Sequence, residues 1–199
     1  LIQKSHFPGT SQLSNLHSVF SILVLKLIGQ ERFSQIDDYS FDRGLGLFTG
    51  LNVLPKTTAT VTYSYNVDSH SLMTFQGEFI RTLMAYDNQL YRGRTINLDF
   101  HTIPYYGDEP PLEKQWISTR NRAMTGALTF FAQDGETEML TYTNADIKRS
   151  DASNEILNFV DYWVGIKGLV DETLVFDSRL TNYPTLSQLN QENIKFITL

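Results

Sequence analysis

The stretch Thr95-Ile96-Asn97-Leu98-Asp99-Phe100-His101-Thr102-Ile103 alternates with the period of a β-strand, bounded by Arg92-Gly93-Arg94 and Pro104. Ile96, Leu98, Phe100 and Thr102 fall on one face, and Asn97, Asp99, His101 and Ile103 on the other. An acid in the middle of such a strand must be solvated, paired or metal-bound, because an uncompensated carboxylate is costly to bury. A second apolar run, Thr173-Leu174-Val175-Phe176-Asp177, also ends on an aspartate. Together the two runs place strand-borne aspartates at the mouth of an α/β sheet.

The chain has 199 residues, 41% of them hydrophobic, which is enough for one domain with its own core or a domain plus an appendage. It has no cysteine, so disulfides, thiolate metal sites and a cysteine nucleophile are excluded. The net charge of −6 counts against a free-standing nucleic-acid binder, which is usually basic, unless the acid is local or basic segments lie outside the chain. No apolar run reaches the roughly 18 residues that span a bilayer. The longest, residues 19–28, is broken by Ser21 and Lys26. No signal peptide is visible, and no membrane partner is expected. The chain opens without Met and stops inside the apolar run Ile197-Thr198-Leu199, the pattern expected of a segment of something longer.

Residues 1–90 read as helical. Ser14-Asn15 predicts the start of a densely apolar, mostly buried helix over 16–30. Gly44, Gly46 and Gly50 alternate with leucines and lack the Gly-Lys-Ser/Thr of a phosphate loop. They predict compact turns and short helices packing small residues closely. Ser69 predicts a second long helix to residue 90, with Leu72, Phe75, Phe79, Leu83, Tyr86 and Leu90 on one buried stripe. From Arg92 the texture changes. Strands are expected at 95–103, 127–132 and 139–143, with Asp134-Gly135 as a hairpin turn. Ser153-Asn154-Glu155 opens a helix that ends at Gly165 or Gly168. A strand at 173–177, a short helix from Pro184 and a last strand at 194–199 follow. The order β-β-β-α-β-α-β predicts an α/β chain with a ribonuclease-H-like mixed sheet over 91–199, preceded by an all-helical region over 1–90. In that arrangement the first and fourth strands are neighbours, so Asp99 and Asp177 meet.

Adjacent carboxylates repel unless a cation screens them. Hard oxygen ligands favour Mg²⁺ or Mn²⁺, and two such ions about 4 Å apart stabilise the attacking and leaving oxygens of a phosphoryl displacement. The plainer alternative is that either aspartate caps a turn or pairs with Arg94 or Arg179. His101, on the Asp99 face, reads as a packed or surface histidine before a site residue. Lys148-Arg149 reads as a solvated pair before a phosphate contact. The acids Asp37-Asp38, Asp108-Glu109 and Asp134 to Glu138 are expected to line exposed turns.

The segment Leu98-Asp99-Phe100-His101-Thr102-Ile103-Pro104-Tyr105-Tyr106-Gly107-Asp108 resembles the first catalytic strand of bacterial insertion-sequence transposases of the DDE type. Leu174-Val175-Phe176-Asp177-Ser178-Arg179-Leu180-Thr181, with Leu186, Leu189 and residues 194–199, looks like their second-aspartate segment. Residues 44–56 and Tyr63-Ser64-Tyr65 resemble the helical region before that domain. The resemblance spans most of 14–199. It implies DNA strand cleavage and strand transfer at a three-acid site holding Mg²⁺ or Mn²⁺. Asp99 would match the first acid and bridge both metals, and Asp177 the second. The expected partners are transposon-end and target DNA, with a homodimer left open and a cytoplasmic, nucleoid-associated location. The third acid of that family, a glutamate on a later helix, has no match. Glu192 comes just before the last strand and is not assigned to it, so the chain as given is expected to be incomplete. A metal-dependent nuclease of the same fold and a non-catalytic transposase remnant are the alternatives.

Overall fold

A computed structural model describes residues 1–106, 112–177, 180 and 182–198. Asp108-Glu109, Arg179 and the final Leu199 therefore lie outside the described residues. The chain divides into two compact units, Leu1–Phe79 and Ile80–Leu199.

The first unit is helical. Helix α1 spans Asn15–Leu27, with the Ser14 hydroxyl accepting from the His17 N–H at its start. Short α2 (Arg43–Phe48) and α3 (Thr57–Tyr65) follow, and α4 runs over Ser69–Tyr86, its residues from Ile80 on belonging to the second unit. Val24, Leu25, Ile36 and Leu54 form the core, with Phe33, Tyr39 and Leu45 packed against it. The glycine-rich segment does pack closely: a Cβ at Gly46 would stand 2.9 Å from the Asn52 carbonyl oxygen.

Two expectations here need correction. Helix α1 is not mostly buried. Its inward line is Ser18, Ser21, Val24 and Leu25, while Leu16, Leu23 and Leu27 are exposed. Nor is the α4 stripe buried. Leu72, Phe79 and Tyr86 are exposed, the inward positions are Ser71, Gly77 and Ile80, and the helix ends at Tyr86 rather than residue 90. Periodicity marks which side chains share a face, but burial needs a partner on that face. In this helix the aromatic rings pack along the stripe instead, with Phe75 6.0 Å from Phe79 and 5.2 Å from Phe7.

The second unit holds a six-stranded mixed sheet. Its strands are β1 (Thr95–Pro104), β2 (Lys114–Ile117), β3 (Arg122–Asp134), β4 (Leu140–Ile147), β5 (Thr173–Phe176) and β6 (Phe196–Thr198). The sheet runs β2-β3-β1-β5-β6, with β4 also on β3. Pairs β1/β3, β2/β3 and β3/β4 are antiparallel, whereas β1/β5 and β5/β6 are parallel. Helix α5 (Glu155–Lys167) crosses from β4 to β5, and α6 (Tyr183–Gln191) from β5 to β6. This is the ribonuclease-H-like order expected from the sequence, with β2 as one added short strand.

One face of the sheet is covered. Phe100, Phe130, Tyr142, Phe159 and Trp163 form a chain of ring contacts from β1 across β3 and β4 to α5, with successive centroids 5.1, 5.9, 5.8 and 6.1 Å apart. Ile96 and Leu98 are buried on this face, and each such side chain contributes about 1.5–3 kcal/mol by leaving water. Asn97, Asp99, His101 and Ile103, on the other face of β1, are exposed. The expected alternation of this strand therefore holds along its length.

Candidate functional site

Strands β1 and β5 pair in the register Asn97↔Val175 and Leu98↔Phe176. The next residue on each chain is the aspartate. Asp99 keeps the face of Asn97 in β1, turned away from α5, and Asp177 follows the last residue of β5. Parallel strands stand about 4.8 Å apart, so the last pair, Leu98↔Phe176, holds the two chains side by side just before the aspartates. Both residues are exposed.

Past this point the strands part. Strand β1 continues to Pro104 paired with β3, including Asp99↔Phe131 and His101↔Thr129. Strand β5 ends at Phe176, and the Asp177 carbonyl accepts from the Leu180 N–H at 3.0 Å. The carboxyl end of β5 is the kind of edge where α/β sheets take ligands.

The donor chemistry at this edge fits a hard divalent cation: two carboxylates, with remaining positions open to water. Among the described residues, no three His, Asp or Glu side chains gather as a metal cluster. His101 lies two residues along the Asp99 face and is exposed. Arg94, offered by the sequence as a partner for the aspartates, lies five residues back, before β1 begins. Glu192 caps the end of α6, where its carboxylate accepts from the Gln188 side-chain amide at 3.0 Å. Lys148 and Arg149 are exposed in the turn after β4, as expected of a solvated pair.

Three polar centres were not visible in the sequence. Glu155, at the start of α5, is 2% exposed and accepts from the Tyr142 hydroxyl at 2.7 Å and the Asn144 amide at 2.8 Å. Asp134 was expected in an exposed turn but is 3% exposed. It accepts from the Gly93, Glu136 and Thr137 N–H groups at 2.7, 2.9 and 2.8 Å. Glu172, also buried, accepts from the Trp163 indole and from Lys167. Burial works against the Lys167 charge, yet Glu172 and Asp171 outweigh it and hold the ammonium above its ordinary value. The available signal was placement: each acid stands at the junction of two elements, where free N–H groups or aromatic donors converge.

No family model matches the chain, and no curated protein matches it. Among solved structures it is similar to a piggyBac transposase in a synaptic complex with hairpin DNA, with a TM-score of 0.49 and 16% identity, covering 92% of this chain and 40% of that one. It is also similar to the Mos1 transposase in a paired-end complex with the left transposon end, with a TM-score of 0.34 and 10% identity, covering 90% of this chain and 57% of that one. A Mos1 mariner paired-end complex with Mn gives 0.33 and 9%, covering 89% and 57%. The chain thus spans less than two thirds of each of these proteins.

Proposed function

We propose that residues 91–199 are the catalytic region of a DDE-type DNA transposase, acting in strand cleavage and strand transfer, with residues 1–90 as its helical lead-in. The carrying observation is the β1/β5 register, whose last pair, Leu98↔Phe176, immediately precedes Asp99 and Asp177, both of them exposed. The resemblance of the two aspartate segments supplies the reaction class. Asp99 and Asp177 would hold Mg²⁺ or Mn²⁺, which when bound neutralises charge on a transferring phosphoryl group. Asp99 stands in the continuous strand β1, paired with Phe131 of β3 and one residue beyond the last pair with β5. The resemblance makes Asp99 the first acid, the one that would bridge both ions. Asp177 sits at the end of β5 and supplies the second carboxylate. No residue here is assigned as the third acid, so the chain as given is proposed to bind metal and to be incomplete for turnover. Transposon-end and target DNA are the proposed partners, in a cytoplasmic, nucleoid-associated setting, and a homodimer is the assembly to test by sedimentation.

Titrating the ¹⁵N-labelled protein with Mn²⁺ tests this reading. Paramagnetic broadening is expected to centre on the amides of residues 98–100 and 176–177. Asp99→Asn and Asp177→Asn should each weaken binding by about tenfold or more, since each removes a charged ligand from a two-carboxylate site. Broadening centred elsewhere, or unchanged affinity in both variants, overturns the metal assignment and leaves a non-catalytic remnant, the reading that the −6 net charge favours. Products joined to a DNA 3′ end, rather than hydrolysed ends alone, would separate a transposase from a nuclease once the site is completed.

A further inference from the structure

Two exposed side chains of β1 stand without a partner among the described residues: the Asp99 carboxylate and the His101 imidazole. Alternation puts residues i and i+2 of a strand on one face, so the two side chains leave the sheet on the same side, about 6.6 Å apart at the rise of a β-strand. This is the strand counterpart of the i, i+4 spacing with which paired ligands grip an ion from one face of a helix. The neighbouring strand offers no competitor. Across β3, Asp99 pairs with Phe131 and His101 with Thr129, and neither partner carries a charge. The Thr129 hydroxyl is committed elsewhere: Thr129 is buried, and its hydroxyl donates to the His101 carbonyl at 2.7 Å, which anchors the strand at the histidine itself. Asn97 and Ile103, on the same face of β1, are uncharged as well. A packed histidine would be covered and a structural one hydrogen-bonded through its ring. His101 is neither, and a free carboxylate stands two residues away on the same strand.

We propose that His101 is a further ligand to the ion held at Asp99, and that it turns the site from Mg²⁺ towards ions that take imidazole, Zn²⁺ above all. The inference rests on the proposed metal reading of Asp99 and deepens it. Mg²⁺ holds to oxygen ligands and keeps much of its water shell. Zn²⁺ accepts imidazole nitrogen and carboxylate oxygen alike, at about 2.0–2.2 Å, and binds mixed nitrogen and oxygen sites more tightly than the earlier divalent metals of its row. One carboxylate and one imidazole from β1, with the remaining positions open to water, therefore separate the two ions more sharply than carboxylates alone. Both ligands sit on a strand paired with β3, and ligands mounted on rigid elements hold their geometry more closely than ligands on loops.

The test is calorimetric titration of the full chain with Zn²⁺ alone and with Mg²⁺ alone, beside long-range ¹H–¹⁵N spectra of the imidazole rings. Zn²⁺ is expected to bind more tightly than Mg²⁺ and to shift the His101 ring nitrogens. His101→Ala should weaken Zn²⁺ binding about tenfold or more and leave Mg²⁺ binding within about twofold of the wild type. His101→Asp supplies an oxygen ligand in its place, so it should strengthen Mg²⁺ and leave Zn²⁺ weaker than in the wild type, an exchange of preference that a surface histidine would not give. An unchanged ratio of the two affinities in His101→Ala, or Zn²⁺ shifts confined to His6, His17 or His70, overturns the proposal. Zn²⁺ binding that is lost in His101→Ala but kept in Asp99→Asn is capture by a lone imidazole and overturns it too. Asp99→Asn also separates this inference from the reading beneath it. If it weakens both ions while His101→Ala weakens neither, the metal site at Asp99 stands and the histidine ligand fails. If Asp99→Asn weakens neither ion, the metal reading itself fails and takes this inference with it.

Discussion

Glu155→Ala is expected to destabilise the Ile80–Leu199 unit by about 3–5 kcal/mol, the range for removing one member of a buried charged network. One carboxylate oxygen accepts from the Tyr142 hydroxyl and the Asn144 amide, and the other accepts from the Asn158 amide at 3.0 Å. Truncation leaves these three donors facing a void between β4 and α5. It also removes the acid from the first turn of α5, where the helix dipole favours negative charge, for about another 0.3–1 kcal/mol. Burial first, and then the Glu155 carboxylate, push the Tyr142 hydroxyl well above the ordinary tyrosine range, so it remains a donor through neutral and alkaline conditions. Tyr142→Phe removes only one donor and should cost about 1–2 kcal/mol. Urea unfolding followed by circular dichroism compares the two. If Glu155→Ala costs no more than Tyr142→Phe, the carboxylate is not the hub that the geometry makes it.

What could be read from sequence followed the distance over which the physics acts. The alternation of β1 is set residue by residue, and Ile96 and Leu98 are buried while Asn97 and Asp99 are exposed, as their spacing requires. Gly168 ends α5 in the left-handed region, at φ 89°, as one of the two glycines offered for that role. Strand β2 was missed because its two buried positions are Gln115 and Ile117 while Trp116 is 61% exposed, the reverse of what hydrophobicity suggests. Helix α3 was missed because its run of β-branched threonines is a weak helix former. The Asp134-Gly135 turn was found for an incomplete reason. The left-handed residue is Glu138, at φ 60°, not Gly135. Gly135 is small because a Cβ there would run into the Thr95 hydroxyl. For the candidate site, the sequence order predicts that β1 and β5 are neighbours, and their last pair, Leu98↔Phe176, immediately precedes the two aspartates.

Asp134→Ala is expected to cost about 2–4 kcal/mol, because three N–H groups lose a charged acceptor and the Gly93 N–H is buried when they do. Burial opposes the Asp134 charge, but the Thr137, Glu136 and Gly93 N–H groups outweigh it and hold the carboxyl below its ordinary value. The folded protein thus releases this proton more readily than the unfolded chain. Its contribution to stability is complete above the unfolded carboxylate value, near pH 4, and is lost as pH falls through the lower folded value. In Asp134→Asn that part of the acid dependence disappears, so its unfolding free energy should fall less steeply than the wild type's below about pH 4. Equal slopes in the two proteins would show that Asp134 ionises alike folded and unfolded. The consequence reaches the proposed metal site through the backbone. Gly93 leads directly into β1, and Ile96 pairs with Asp134 itself, so this carboxylate pins the start of the strand that carries Asp99. Gly93→Ala would drive its Cβ into the Asp134 carboxylate, which its three donors hold in place. Both substitutions should therefore weaken Mn²⁺ binding at Asp99 and Asp177 while leaving both ligands intact, an effect that a change confined to a surface turn would not produce.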